Sequence, residues 1–401
     1  MTHAVPAPMR PSTALVVIIV AQLLGTSLWF SANSAADDLM RQWSVGAAAI
    51  GWLTMATQLG FILGTLSFAL SGLADRLAAS RIFASCAVAG AACNLGFALV
   101  ANDVATGVVW RFAVGLCLSG IYPIGMKLVV QWAPQHAGKA LAWLVGMLTL
   151  GTALPQGIKA VGGALPWQTP MVVASLLAMI AAVMILRLGQ GAAAPARAGG
   201  KLAFGAVLQA FSLKDFRAAT FGYFGHMWEL YAMWTLTPLL ITRAGLAQAL
   251  GVSTATLAFA VIAAGAVGCV LGGQVSARIG SARVAAVALL LSALCCVAFP
   301  WVGAQSGYAA LAVMLVWGAS VVADSPQFSA LAARACPPAI VGSALSMQNA
   351  IGFAITVVAI GVTTRYVDAL GLHIAWVLLP GPVLGLVALM PLWRRRPAPS
   401  A

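Results

Sequence analysis

Charge is what this sequence has least of: Asp and Glu together number 8, and the four charged residue types make up 7% of 401 residues, against 62% hydrophobic. A water-soluble domain needs far more ionic groups to cover its surface, so the solvent for most of the chain is lipid. Histidine is as scarce, with His3, His136, His226 and His373 far apart, and neither H-E-x-x-H nor G-x-S-x-G occurs. Those absences leave no basis for a metallohydrolase or a serine hydrolase, and the chain is not read as an enzyme. G-x-x-x-x-G-K-[ST] is missing too, so ATP is not expected to drive it directly, and no cofactor is implied. The seven cysteines (Cys86, Cys93, Cys117, Cys269, Cys295, Cys296, Cys336) have no metal-ligand spacing, and all but the last lie in apolar runs, so they read as packing residues.

What is there is a net charge of +13 spread as single Lys and Arg residues between apolar runs. That pattern belongs to membrane topology and not to nucleic-acid binding. The run after Arg10 outlasts a signal-peptide core and has no A-x-A exit, so it reads as a first span. Marking the apolar runs predicts spans near 13–34, 46–70, 82–101, 105–131, 140–161, 168–187, 218–241, 252–275, 284–302, 306–331, 341–363 and 371–392, twelve in all. The longest gap is rich in Gly, Ala and Pro, and it divides the chain into 1–187, a linker at 188–217, and 218–401. With the N-terminus inside, fifteen Lys and Arg fall on the cytoplasmic side and four (Arg41, Lys159, Arg243, Arg365) outside, leaving Arg111 and Lys127 within the fourth span. The positive-inside rule therefore predicts both termini cytoplasmic.

The halves repeat. Ser71 to Arg81 is matched by Gly273 to Arg283 at an offset of 202, the segment Pro134 to Leu141 by Pro338 to Leu345 at 204, and Pro123 by Pro326 at 203. Such duplication predicts an all-α membrane protein of twelve transmembrane helices, as two six-helix bundles related by a pseudo-two-fold axis, with a solute site between them.

These residues resemble the major facilitator superfamily, whose loop between spans two and three carries G-x-x-x-D-R-x-G-R-[KR]. Ser71, Asp75, Arg76 and Ala78 stand at its Gly, Asp, Arg and Gly positions, so Asp and Arg remain while both glycines are replaced. Arg111 and Gly115 match a second signature, an Arg followed four residues later by Gly in span four. The antiporter pattern G-x-x-x-G-P-x-x-G-G of span five is not met, since Gly146, Gly151, Pro155 and Gly157 are wrongly spaced. The runs around Gly225–Trp234 and Ala323–Leu331 are similar to bacterial members grouped loosely with nitrate and cyanate permeases, but the arginines of nitrate porters in spans two and eight are lacking. The resemblance implies alternating access, with spans one, four, seven and ten lining a cavity. It also implies a conformational gate at Asp75, Arg76 and Arg81, with Arg278 as the counterpart in the second half.

Ionised groups at membrane depth need a partner, a cavity or a function. Arg111 is expected either to bind an anion and tune a nearby carboxylate, or to be a structural arginine bonded to backbone carbonyls. His226 stands three residues before Glu229 near the middle of span seven, a spacing suited to passing a proton between the two, or to a structural hydrogen bond between helices. Asp324 precedes Pro326 on a face with Trp317, Ser320 and Gln327, as a cavity carboxylate or a structural ion-pair member. Lys127 reads as cavity-lining or as snorkelling to the surface. Polar stripes with helical spacing add Gln22, Thr26, Phe30 and Asn33 on span one, Gln156 on span five, and Asn349 with Phe353 on span eleven; Tyr122 completes the expected lining.

The chain thus reads as a multi-pass transporter of the bacterial inner membrane that moves a small solute, coupled to protons. A small organic or inorganic anion leads on account of the buried basic residues. A proton-driven antiporter exporting a cationic, zwitterionic or drug-like solute is the alternative, suggested by Glu229 and Asp324. The lipid bilayer, the solute and protons are its partners, and a monomer is expected.

Overall fold

The structure, a computed structural model, describes residues 11–133, 137–163, 165–191, 210–305, 307–337 and 340–393, side chains at 75, 137–139, 342 and 343 excepted. Among these residues the secondary structure is helical throughout, with no strand. Nine stretches are long and apolar enough to cross a bilayer, and the last of them, Ala344–Trp393, holds two crossings. Pro11–Thr26 is apolar but shorter. Lys214–Arg243 is less apolar than the rest, and with these two the crossings number twelve. That least apolar helix is also the one most enclosed by protein, buried almost without interruption from Phe216 to Ile241. A helix enclosed in this way, with Phe221 as its one exposed residue between Phe216 and Ile241 other than Arg217, can carry polar side chains that a peripheral one cannot.

The spans are Pro11–Thr26 continued by Ser31–Ser34 (span 1), Ala47–Ser71 (2), Ala79–Val100 (3), Val104–Leu118 continued by Tyr122–Trp132 (4), Ala137–Gly162 (5) and Thr169–Leu188 (6). The second half follows with Lys214–Arg243 (7), Thr254–Ile279 (8), Ser281–Gly303 (9), Gly307–Ala323 continued by Ser325–Ala335 (10), Val341–Leu370 (11) and Pro380–Trp393 (12). Residue 11, the connection between the halves and residue 393 therefore share one face of the bundle, the linker face; the other is the distal face. Most of the predicted linker at 188–217 lies outside the described residues.

Four predicted spans are broken where continuous helices were expected: spans 1, 4 and 10, and span 12, whose predicted range 371–392 begins as the short helices Gly371–Ile374 and Ala375–Leu378 and turns at Leu379 before Pro380. Spans 4 and 10 break at 119–121 and at Asp324, each just before a proline, Pro123 or Pro326, near the start of the next helix. Proline lacks the N–H that would bond back across the break, and it disfavours a helical residue before it. Span 1 breaks at 27–30 without a proline.

Backbone packing repeats the duplication seen in the sequence. A Cβ on Gly115 of span 4 would lie 2.0 Å from the Thr57 carbonyl of span 2, and one on Gly318 of span 10 would lie 1.9 Å from the Val261 carbonyl of span 8. Both pairs are related by the offset of the repeat, and the approach is closer than any side chain permits. Gly115 of the Arg111–Gly115 signature thus lets span 2 press against span 4. Between the halves, spans 2 and 11 meet near the distal face, where a Cβ on Gly51 would lie 2.0 Å from Thr364 Oγ1, and spans 5 and 8 meet where Gly157 faces the Phe259 ring.

Val at Gly115 or Gly318 must push two helices apart, and overpacking of this kind costs about 1–3 kcal/mol. Gly115→Val and Gly318→Val are each expected to melt several degrees below wild type in detergent, while Val109→Leu on the lipid-facing surface does not. A Gly115→Val protein with wild-type melting would refute the packing argument.

Candidate functional site

Arg111 is 1% exposed, and its guanidinium is surrounded by protein acceptors. Nε donates to Thr57 Oγ1 at 3.2 Å, and Nη1 to the Leu28 carbonyl at 3.2 Å, Ser31 Oγ at 3.2 Å and Asn94 Oδ1 at 3.1 Å; Nη2 donates to the Trp29 carbonyl. The two carbonyls are those the break in span 1 leaves without helical partners. Asn94 passes the network on to span 6 by donating to the Met171 carbonyl at 3.0 Å and Ser175 Oγ at 3.1 Å. One side chain of span 4 thereby holds the broken segment of span 1 against spans 2 and 3.

The second half places its charges differently. The expected His226–Glu229 pair does not form. Glu229 Oε1 instead accepts from Ser292 Oγ at 2.6 Å and Cys296 Sγ at 3.3 Å, both on span 9, and from Trp317 Nε1 on span 10 at 2.6 Å. His226 turns to span 10, with Nδ1 2.8 Å from Asp324 Oδ1, both side chains being almost wholly buried. Asp324 sits at the break in span 10, and its own carbonyl accepts from the Gln327 and Phe328 amides at 2.9 and 3.0 Å. The contact is close but not aligned as a hydrogen bond, and neither ring nitrogen of His226 nor Asp324 Oδ1 has a hydrogen-bond partner. Tyr223 and Phe328 flank the imidazole, with ring centroids 5.9 and 6.0 Å away.

Between the halves lies a layer of aromatic rings. Trp29 packs against Phe61 at 4.9 Å, Tyr231 at 5.6 Å and Phe353 at 6.0 Å, and Phe30 against Trp234 at 5.8 Å, while Phe61 and Phe353 close to 4.4 Å. Tyr231 lies five residues beyond His226 on one helix, which sets the layer about 7–8 Å nearer the distal face than the imidazole. Nε2 of Gln58 and Nε1 of Trp234 are buried in this layer without partners, and so are both amide atoms of Gln22, seven residues before Trp29 and facing Gly125. Trp29 Nε1 donates to Gln58 Oε1 at 3.1 Å. Such atoms are costly to bury dry and mark places where water or a solute completes the bonding.

On the distal side of this layer a groove of about 760 Å³ runs past Asp37, Asp38, Arg41 and Lys159. It meets a cavity of only about 30 Å³ between Asn33, Gln156 and Lys159 of the first half and Pro238 and Thr254 of the second. Lys159 Nζ lies 2.8 Å from Asp38 Oδ2. Burial pushes the Asp38 carboxyl up, but Lys159 and Arg41 outweigh it and hold the group below its ordinary range. The path from the distal face thus narrows to room for a water beside Asn33, Gln156 and Pro238.

Of the other predicted lining residues, Phe30 and Phe353 belong to the aromatic layer. Asn33 Nδ2 donates to Thr54 Oγ1 at 2.8 Å, and Gln156 Nε2 reaches the Asn33 carbonyl at 3.4 Å. Thr26 and Ser320 bond back into their own helices, to the Gln22 and Trp317 carbonyls. Gln327 is buried, Asn349 and Tyr122 are half-buried, and Trp317 serves Glu229. Lys127 Nζ donates to the Ala74 carbonyl in the loop after span 2. At the predicted gate Arg76, Arg81 and Arg278 are exposed, and the Asp75 side chain lies outside the described residues. Ser292 and Cys296 were not anticipated; their spacing of four on an apolar helix was the available signal. Thr57, Gln58 and Asn94, polar residues inside apolar runs of spans 2 and 3, were also missed.

Comparison with known proteins agrees with this architecture. A bacterial homolog of the human lysosomal transporter Spinster, in an inward-facing, unoccupied conformation, superposes with a TM-score of 0.69 at 15% identity, covering 95% of this chain and 94% of that one. A mutant of the nucleoside transporter NupG gives 0.70 at 16% identity, with 94% and 98% coverage. Among curated proteins, the niacin transporter NiaP of Acinetobacter baylyi is 30% identical over 131 residues, 29% of this chain and 28% of that protein. The putative uncharacterized transporter YgaY of Escherichia coli is 26% identical over 186 residues, 44% of each chain. These matches span less than half the length of the curated relatives. The family match is broader, running from residue 17 to 361. Twelve crossings in two duplicated bundles, meeting at a buried polar and aromatic seam, place the chain in the family that this match describes: it belongs to the Major Facilitator Superfamily.

Proposed function

We propose that the chain is a secondary active transporter that moves a small solute across the bacterial inner membrane by alternating access, with protons handled at His226 and Asp324. The observation that carries this reading is the His226–Asp324 contact. It joins spans 7 and 10 at the break in span 10 and leaves both imidazole nitrogens without an aligned hydrogen bond. An imidazole and a carboxylate in contact can exchange a proton, and a change of charge on either alters the electrostatics that hold a broken helix in place. The linker face is taken as cytoplasmic on the distribution of Lys and Arg.

The charge of the solute follows from what the buried groups leave free. Arg111 is the main support for an anionic solute, yet its donors are directed at protein acceptors. Glu229 is held by its three donors, and His226 with Asp324 forms a pair. No uncommitted positive charge then remains at the seam among the described residues. The groups still open are amides, an indole N–H and an imidazole nitrogen beside flat rings. They suit a neutral, zwitterionic or cationic solute with a planar or apolar body, exchanged for or carried with protons.

Two measurements check the proposal. A melting-temperature screen of purified protein against amines, nucleobases, zwitterions and organic acids identifies a ligand that raises stability. In proteoliposomes that ligand is expected to accumulate under a pH gradient, and Asp324→Asn is expected to lose gradient-driven accumulation while keeping solute-for-solute exchange. Full accumulation by Asp324→Asn would refute the coupling role. For Arg111→Lys, the loss of several hydrogen bonds to buried acceptors predicts a drop in stability of about 2–5 kcal/mol with ligand selectivity unchanged. Wild-type melting combined with selective loss of an anionic ligand would restore the anion reading.

A further inference from the structure

Spans 2 and 11 belong to different halves and meet near the distal face, yet they do not seal against the surrounding lipid. A groove of about 420 Å³ runs between them, floored by Met55, Val357, Gly361 and Val362 and walled by Trp52 and Val358. Trp52 is 59% exposed and Val358 55%, so the groove opens outward, where the medium is the bilayer and not water. At the related junction of spans 5 and 8 the protein fills its own seam, with the Phe259 ring seated over Gly157. Here Met55 approaches Gly361 from one side only, and the remaining space is left to whatever the membrane supplies.

Arg365 stands at the distal end of the groove, five residues before span 11 ends at Leu370. It is exposed, and among the described residues no carboxylate pairs with it. The nearest acidic residue along the helix, Asp368, is engaged by Arg243, which also donates to the Val367 carbonyl at 2.8 Å. A guanidinium facing lipid is costly unless it reaches the headgroup layer and finds an anion there, and phosphate oxygens fit its donors in pairs. Trp52 lies in the second turn of span 2, counted from its distal end at Ala47, and adds an amphipathic ring of the kind that settles near the headgroups.

We propose that this groove binds one anionic phospholipid of the distal leaflet, with an acyl chain along Met55, Val357 and Val358 and its phosphate on Arg365. The groove lies along about 12 Å of span 11, so chain and headgroup are reached together only by an intact lipid aligned with the membrane normal. The bound lipid touches both halves and bridges a seam that the side chains leave open.

The test uses the full-length purified protein in neutral detergent, titrated with phosphatidylglycerol, phosphatidylcholine or free glycerol phosphate, and read by native mass spectrometry and melting temperature. Phosphatidylglycerol is expected to bind about fivefold more tightly than phosphatidylcholine, the scale of one Arg contact to an anionic lipid surface, and to raise the melting temperature, while glycerol phosphate does neither. Arg365→Gln is expected to abolish the preference between the two lipids, and Val358→Trp, on a lipid-facing position, to displace both by filling the groove. Equal binding of the two lipids to wild type, an undiminished preference in Arg365→Gln, unchanged binding in Val358→Trp or stabilisation by glycerol phosphate would each overturn the proposal.

Discussion

The Arg111 guanidinium is the interaction on which the first bundle depends. A bilayer offers no water to unpaired backbone groups, so a helix broken at membrane depth must have its carbonyls met from within the protein. Span 1 is broken at 27–30, and Arg111 meets the carbonyls of Leu28 and Trp29 while holding Thr57, Ser31 and Asn94. The break is what turns Trp29 and Phe30 toward Tyr231 and Trp234 of the other half. Gly115, one turn beyond Arg111, brings span 2 close enough for Thr57 to reach Nε. Packing, hydrogen bonding and the shape of the interface are thus tied to one charged side chain.

The second bundle uses the duplicated framework with the polarity reversed. At the repeat offset the counterpart of Arg111 is Met314, which is buried and apolar. Span 7 runs unbroken through the region equivalent to the break in span 1, residues 230–233 at the same offset, and carries Glu229 just before it. In the first half a donor from span 4 serves carbonyls of span 1. In the second, a Trp317 donor from span 10 serves a carboxylate of span 7. Each buried charge is satisfied inside its own bundle, so neither Arg111 nor Glu229 has to exchange partners when the bundles move against each other.

The legible parts of this arrangement are those with local causes. Apolar run lengths give the crossings, and the repeat offset gives the pairing of halves. Pro123 and Pro326 mark the breaks in spans 4 and 10, because a missing N–H is a property of the residue itself. The break in span 1 has no such residue at 27–30; its carbonyls are held by an arginine from span 4, and that cause is tertiary. The partner of His226 is hidden from the sequence for a related reason. Helical spacing puts Glu229 one turn away, but spacing along a helix does not tell which way an imidazole turns, and Asp324 approaches from a different span. The roles of Ser292 and Cys296 depend in the same way on which helix faces Glu229.

What distinguishes the His226–Asp324 contact from the other buried charges is where it lies. Arg111 and Glu229 are each held by three or more donors or acceptors, and such networks fix geometry. His226 and Asp324 have one close partner each between side chains, at the one place where span 10 is interrupted, with neither imidazole nitrogen held by an aligned hydrogen bond. A pair held by few bonds at a discontinuous helix is the element that a proton or a solute can rearrange at least cost. In the cycle proposed above, the rigid networks on either side would keep each bundle a solid body, so that a change at this one contact would move whole helices and not single side chains.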